Sequence, residues 1–183
     1  MILPIVAYGN GILRKKCEEI DADYPELKKF LADMYDTMHH AEGVGLAAPQ
    51  IGLPIRVFVI DLDCLSEDEP QFKGYQLTMI NPEIIERSGD DVTMNEGCLS
   101  IPGINESVTR KNKIVVNYFD ENFDEHEKTF EGFEARVIQH EYDHLEGHTF
   151  IDRINPIRRQ MIRGKLNSII KGKISCRYKI KTA

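Results

Sequence analysis

The chain has 183 residues, 42% of them hydrophobic and 29% charged, with a formal net charge of −7. These values are typical of a soluble globular domain with a sizeable core. No run of about 18 apolar residues is present, which excludes a membrane-spanning helix. The first residues lack the basic region and long apolar core of a signal peptide, and the four cysteines are scattered. We therefore expect a cytoplasmic protein without a disulfide framework.

The first half of the chain predicts a helix, an irregular segment and a buried strand. Apolar residues at helical spacing predict a helix over 25–42, with Gly43 as its C-terminal stop. The segment 43–52 is rich in glycine and interrupted by proline, so we expect irregular structure there. A continuous apolar run predicts a buried strand over 56–61, and the acidic segment 62–74 predicts a loop.

The second half predicts further strands and two helices. Strand-like runs lie at 77–80, 84–87, 113–119 and about 126–130. A helix is predicted over about 133–146, and another begins at Pro156 with Asn155 as its N-cap. The sequence therefore predicts one α+β domain over residues 1–183, in which antiparallel β-sheets pack around a central helix and a C-terminal helix follows.

The charge is distributed unevenly. Residues 155–183 contain nine of the 23 Lys and Arg residues and none of the 30 acidic ones, so this tail carries +9 and the remainder −16. Such a tail is typical of an arm that binds something anionic, such as RNA or a membrane surface. A solvated tail that offsets an acidic body is the alternative.

The predicted central helix contains the pattern His140-Glu141-x-x-His144. Because side chains four residues apart share a helix face, both imidazoles can reach one metal ion, and Glu141 can reach a water on that metal. The histidines extend the apolar stripe of Phe133 and Val137, so we expect them to face the core. Two core histidines with ordinary hydrogen bonds are the alternative, but burying two imidazoles and a carboxylate without a cation is costly.

The third ligand distinguishes one class of metal hydrolase from another. In the usual peptidases with this pattern it lies downstream, as a histidine or an acid. The extended peptidase form needs a histidine at position 150, which is Phe150, and no Asp, Glu or His follows Asp152. We therefore expect the ligand to come from upstream.

Cys98 is the upstream candidate. It follows Gly97 and precedes the turn-forming segment 100–103, which leaves it open to a metal. One thiolate and two imidazoles leave a fourth position open for water, as a catalytic site requires. Most free cysteines, however, are small buried hydrophobes, and spacing alone does not distinguish this cysteine from the other three.

Three segments together resemble the signature motifs of the peptide deformylases. Residues 43–50 resemble Gly-x-Gly-x-Ala-Ala-x-Gln, residues 96–100 resemble Glu-Gly-Cys-Leu-Ser, and residues 139–147 resemble the third, histidine-containing motif. The likeness extends over about 4–170. It implies an enzyme that removes the formyl group from the N-terminal formyl-methionine of nascent polypeptides and releases formate.

The resemblance also implies roles for individual residues. The implied metal ligands are Cys98, His140 and His144. Glu141 would take a proton from the attacking water and later deliver one to the leaving amine. The Gln50 amide and the Leu99 backbone N–H would join the metal in stabilising the oxyanion.

The resemblance also implies which residues bind the substrate and which support the site. The implied substrate-binding residues are Val44, Gly45, Gly97, Phe133 and Val137. Arg110 matches an arginine of the family that supports the metal-binding cysteine, and Asp143 either supports the site or solvates a helix face. Asn105 stands where some bacterial relatives carry an arginine near the substrate.

Cofactor and partners are implied as well. The resemblance favours Fe²⁺, with nickel, cobalt or zinc as substitutes, because a Cys-His-His site accepts all four. The expected partners are N-formylmethionyl nascent peptides and the ribosome, through the basic tail; neither a membrane nor sequence-specific nucleic acid is expected. Two other hypotheses remain: another metallopeptidase with the His-Glu-x-x-His pattern, and a non-catalytic metal-binding module that associates with the ribosome.

Overall fold

A five-stranded antiparallel sheet forms the framework of the protein, whose residues 1–182 are described by a computed structural model. In chain order, the strands are β1 (Ile5–Val6), β2 (Gly45–Ala47), β3 (Val57–Asp61), β4 (Gln76–Cys98), β5 (Ile101–Phe119), β6 (Glu125–Glu131) and β7 (Ile180–Lys181). The helices are α1 (Leu27–His40), α2 (Gly132–Leu145), α3 (Pro156–Met161) and α4 (Arg163–Ile170). Strands β2 to β6 form the sheet in that order, and α2 packs against four of them. The predicted α+β class is confirmed.

The longest element is the hairpin of β4 and β5. Its two strands close at the pair Cys98 and Ile101, so Leu99 and Ser100 form the turn. The register shifts at four places along the hairpin, the last of them between Gly97 and Cys98, and such irregularities bend and twist a strand pair. The segment 88–98 was not predicted as a strand, because most of its side chains are exposed and no apolar run marks it.

The first half of the chain follows the prediction with local differences in three segments. Helix α1 lies within the predicted helix, but the left-handed residue that follows it is Glu42, with φ of 56°, rather than Gly43. The segment predicted to be irregular, 43–52, contains β2 and a single turn of 3-10 helix over Ala48–Ile51. The predicted loop over 62–74 contains two further short 3-10 turns.

The basic tail is part of the folded core. Asn155 caps α3, as predicted, by accepting a hydrogen bond of 2.9 Å from the Ile157 N–H. Ile162, Leu166 and Ile169 are buried against a cluster that includes residues of the hairpin. After α4 the chain returns to the body, where β7 pairs in parallel with β1. The tail is therefore not wholly solvated, because these three apolar side chains are buried, although all nine cations are exposed.

Within residues 1–182, no helix has both the length and the apolar character needed to cross a membrane.

The packing of the tail predicts a large stability loss for Ile169→Ala. Ile169 is 1% exposed, so the substitution removes buried methyl groups and leaves a cavity. We expect the free energy of unfolding to fall by about 2–5 kcal/mol, measured by urea denaturation. Ile157→Ala is the control, because Ile157 is 69% exposed, and it should change the value by less than about 0.5 kcal/mol. Equal, small effects of both would show that the tail does not pack as described.

Candidate active site

Helix α2 carries the His-Glu-x-x-His residues into the interior. Glu141 and His144 are buried, and the side chain of His140 is 11% exposed. Val137 is buried beside them, as predicted. Phe133 departs from the predicted inward face, since it is 36% exposed. It lies in the first turn of α2 and lines the cavity described below.

Cys98 meets the two histidines at the tip of the hairpin. Its Sγ lies 3.3 Å from His144 Nε2, and one ligand atom from each of Cys98, His140 and His144 lies within 4.8 Å of the others. Desolvation opposes ionisation of the thiol, but the imidazoles of His144 and His140 outweigh it and lower the pKa of Cys98 to about 5. The site therefore favours the thiolate, the form that binds metals.

The donor set fits a divalent cation. One thiolate and two imidazoles suit Fe²⁺, Ni²⁺, Co²⁺ and Zn²⁺, and within residues 1–182 these three residues form the group able to hold such an ion. The Glu141 carboxylate lies in the same cavity, and its Oε2 is buried without a hydrogen-bond partner among the described residues. A buried carboxylate oxygen is costly unless it has a donor or a cation nearby.

The environment of Glu141 also changes its titration. Burial raises the pKa of this carboxyl to about 7, because it outweighs the attraction of the imidazoles of His140 and His144. The group can therefore accept or release a proton near neutral pH, as an acid/base catalyst must.

Glu96 orients the His140 ring through a hydrogen bond to its Nδ1 atom. The His140 Nδ1 donates to Glu96 Oε1 across 2.8 Å, which leaves Nε2 to face Cys98. Arg110 donates to both oxygens of Glu96, at 2.8 and 3.0 Å, and Arg136 donates to one of them at 2.7 Å. Burial opposes ionisation of Glu96, but these donors hold its pKa well below the ordinary value. The sequence motif 96–100 contains Glu96, yet this orienting role was not predicted.

Arg110 and Asp143 take part in the same buried network. Arg110 was expected to support Cys98, whereas its contacts are with Glu96 and, through NH1, with Asp143 Oδ2 at 2.8 Å. It therefore acts on His140 by way of Glu96. Asp143 is 2% exposed and also accepts from Arg153 at 2.5 and 2.6 Å. The alternative that Asp143 solvates a helix face is wrong.

Gln50 presents its amide nitrogen to the site. Its Oε1 accepts from the Ala47 N–H at 2.8 Å, which fixes the amide orientation. Its Nε2 then donates to Ser100 Oγ at 3.2 Å and lies 3.5 Å from Cys98 Sγ. Leu99 lies in the hairpin turn beside them, and its carbonyl accepts from the Tyr178 hydroxyl at 2.6 Å.

One cavity of about 510 Å³ is lined by Gln50, Cys98, Leu99, His140 and Glu141. Its wall includes all five predicted substrate-binding residues: Val44, Gly45, Gly97, Phe133 and Val137. Asn105 also lines it, as do Ser175, Cys176, Arg177 and Tyr178 of the tail, which no sequence pattern had indicated. A Cβ on Gly45 would lie 2.4 Å from Glu141 Oε1, so only glycine lets the strand pass this close to the carboxylate.

Comparisons with known proteins agree on one family. The model of the family described as polypeptide deformylase matches residues 2–160. The peptide deformylase of Christiangramia forsetii is 47% identical, and the match covers 99% of this chain and 96% of that protein. That of Flavobacterium johnsoniae is 48% identical, covering 100% and 97%.

Solved structures agree as well. A peptide deformylase from Legionella pneumophila superimposes with a TM-score of 0.82 at 37% identity, covering 94% of this chain and 98% of that one. One from Thermotoga maritima gives a TM-score of 0.77 at 38% identity, covering 85% and 99%. The chain belongs to the peptide deformylase family, and it is a metal-dependent hydrolase that removes the formyl group from nascent polypeptides.

Proposed function

We propose that Cys98, His140 and His144 hold a ferrous ion and that Glu141 is the general acid/base of deformylation at an N-terminal formyl-methionine. The observation that carries this proposal is the buried Glu141 carboxylate, which has an unpartnered oxygen and shares one cavity with Cys98 and His140 of the Cys-His-His cluster. The metal, when bound, supplies Lewis acidity that makes water nucleophilic at neutral pH. The preference for iron rests on the resemblance to the family, since the donor set also suits nickel, cobalt and zinc.

The protein's own residues account for the remaining steps. Glu141 removes a proton from the attacking water and returns one to the amine that leaves as the formyl C–N bond breaks. The Gln50 Nε2 and the Leu99 N–H donate to the carbonyl oxygen as it gains negative charge. Because the Gln50 amide is already oriented by Ala47, it needs no rearrangement during the reaction.

The apolar part of the cavity accommodates the methionine side chain. Val44, Phe133 and Val137 line the cavity together with Cys98 and His140. Arg110 holds the hairpin against the histidine-bearing helix by donating directly to Asp143, and it also donates to Glu96. Loss of the hydrogen bonds that orient a metal ligand typically lowers metal affinity by about 10- to 100-fold.

Glu141→Gln is expected to abolish most formate release without loss of metal. The substitution keeps the size of the side chain but removes the proton acceptor, so kcat for formyl-Met-Ala-Ser should fall by roughly 100- to 10,000-fold. Formate is measured under anaerobic conditions, with bound metal determined in the same samples. Iron should predominate in wild type, and exposure to oxygen should reduce its activity as the metal or Cys98 is oxidised.

An unformylated peptide is the control for that experiment. Unformylated Met-Ala-Ser should not be cleaved, which separates deformylation from the activity of another metallopeptidase. If iron-loaded or nickel-loaded wild type released no formate, the proposed function would be wrong. If Glu141→Gln kept full activity, the role of Glu141 would be wrong and a base elsewhere would be needed.

Gly45→Ala is expected to inactivate the enzyme while the fold is kept. The new methyl group would displace the Glu141 carboxylate, and misplacement of a catalytic group by about 1 Å costs roughly 100-fold in rate. Gly11→Ala is the matched control, because a Cβ there meets nothing within 4 Å. Circular dichroism and kcat are compared for both variants. Full activity of Gly45→Ala would contradict the close approach of this strand to Glu141.

We also propose that the basic tail contacts the ribosome. Truncation after about Asn155 would remove buried residues of α4, so a loss of ribosome binding could reflect unfolding of the protein. A cleaner variant changes three cations without ion-pair partners among the described contacts: Arg163→Gln, Lys171→Gln and Lys173→Gln. Because each phosphate contact contributes to salt dependence, we expect weaker ribosome co-sedimentation and a shallower salt slope. Lys28→Gln, Lys73→Gln and Lys128→Gln together form the control with the same charge change; equal loss in both sets would argue against a specific role of the tail.

A further inference from the structure

The segment that follows α4 is held at both of its ends. At one end, Gly172 turns the chain with φ of 67°, and the Lys173 N–H donates to the Ser168 carbonyl at 2.8 Å. At the other end, the Ile5 N–H donates to the Lys179 carbonyl at 2.9 Å as β7 joins β1. The intervening residues 175–178, here called the strap, lie in the wall of the active-site cavity.

Tyr178 connects the strap to the turn of the β4–β5 hairpin. Its hydroxyl donates to the Leu99 carbonyl at 2.6 Å, and its ring packs in the apolar cluster that also contacts Leu99. Burial raises the pKa of Tyr178 above its ordinary value, so the hydroxyl keeps its proton and remains a donor at neutral pH. Cys176 Sγ approaches the Tyr178 carbonyl to 3.1 Å and fixes the turn between them. The strap therefore has a defined position beside the residue whose N–H serves the oxyanion.

Arg177 places a permanent cation at the cavity rim. Its side chain is 84% exposed, and its partner Glu42, also in the cavity wall, is 72% exposed at a distance of 3.0 Å. An ion pair this exposed is weak and easily exchanged for another partner. Arg136, the other arginine of the wall, is buried and paired with Glu96. Arg177 is thus the arginine in this wall that a bound peptide can reach.

The exposed Arg177 side chain belongs to the same cavity wall as Cys98 and His140. In the proposed function the formyl group and the methionine bind near Cys98 and His140, so the following residues of the substrate extend toward the solvent-exposed part of this wall. We propose that the strap is a wall of the peptide-binding cleft, with Tyr178 as its positioning residue and Arg177 as a specificity-determining residue that favours an acidic side chain after the first two residues of the substrate. This inference rests on the proposed deformylase function.

The test compares two substrates, formyl-Met-Ala-Glu-amide and formyl-Met-Ala-Lys-amide. The readout is the ratio of their kcat/KM values, which is independent of the fraction of active enzyme. We expect Arg177→Gln to lower the Glu/Lys ratio about two- to fivefold, mainly through KM, and Glu42→Gln to raise it by freeing the arginine. Both effects should shrink in high salt, because the charges are exposed. Tyr178→Phe should also lower the ratio, whereas a purely structural role would leave it unchanged.

Lys179→Gln is the matched control. It removes one positive charge from the same segment, but Lys179 is not part of the cavity wall, so the ratio should not change. An unchanged ratio in Arg177→Gln, or an equal shift in Lys179→Gln, would overturn the inference while deformylation stands. Release of no formate from either substrate by metal-loaded wild type would overturn the proposed function and this inference with it.

Discussion

The site depends on one buried carboxylate, that of Glu96, which receives hydrogen bonds from Arg110, Arg136 and His140. These partners come from β5 and from two turns of α2, so a single charged group joins the hairpin to the helix that carries the histidines. Removing one partner of a buried charge network typically costs about 3–5 kcal/mol, because the charges left behind are unpaired in a medium of low polarity. The same contacts orient the His140 ring, so one network both stabilises the fold and sets the geometry of this histidine.

The hairpin explains how residues far apart in sequence reach one another. Cys98 and His144 are separated by 46 positions, and the thiol reaches the imidazole because β4 and β5 extend as a bent ribbon that ends beside α2. The shift in register between Gly97 and Cys98 occurs where the strand must turn its cysteine toward the helix. A side chain on Gly97 would lie 2.4 Å from Asn105 Oδ1, so glycine permits the close pairing of the two strands at this point.

The sequence predicted the parts of the site that rest on local spacing. His140, Glu141 and His144 share a helix face by periodicity alone, and the cap at Asn155 follows from local backbone chemistry. It did not predict the Glu96 network or the strap, because these depend on which distant segments meet. Tyr178 has no neighbouring pattern that indicates its contact with Leu99. Residues 88–98 and 101–112 of the hairpin were missed for a different reason: their buried positions alternate with exposed ones, and some of the buried positions are polar, such as Glu96, Glu106 and Arg110. No run of apolar residues therefore marks these strands.

The surroundings of two carboxyl groups in the site shift their pKa values in opposite directions. Glu96 is as buried as Glu141, yet its donors hold its pKa far below the ordinary value, so it remains a permanent anion. Glu141 has an oxygen without a donor, and burial raises its pKa to about 7. Environments that separate the pKa values of paired acids also separate their roles. Glu96 is thereby suited to orienting a ligand and Glu141 to carrying a proton, because a fully stabilised carboxylate would be a poor base.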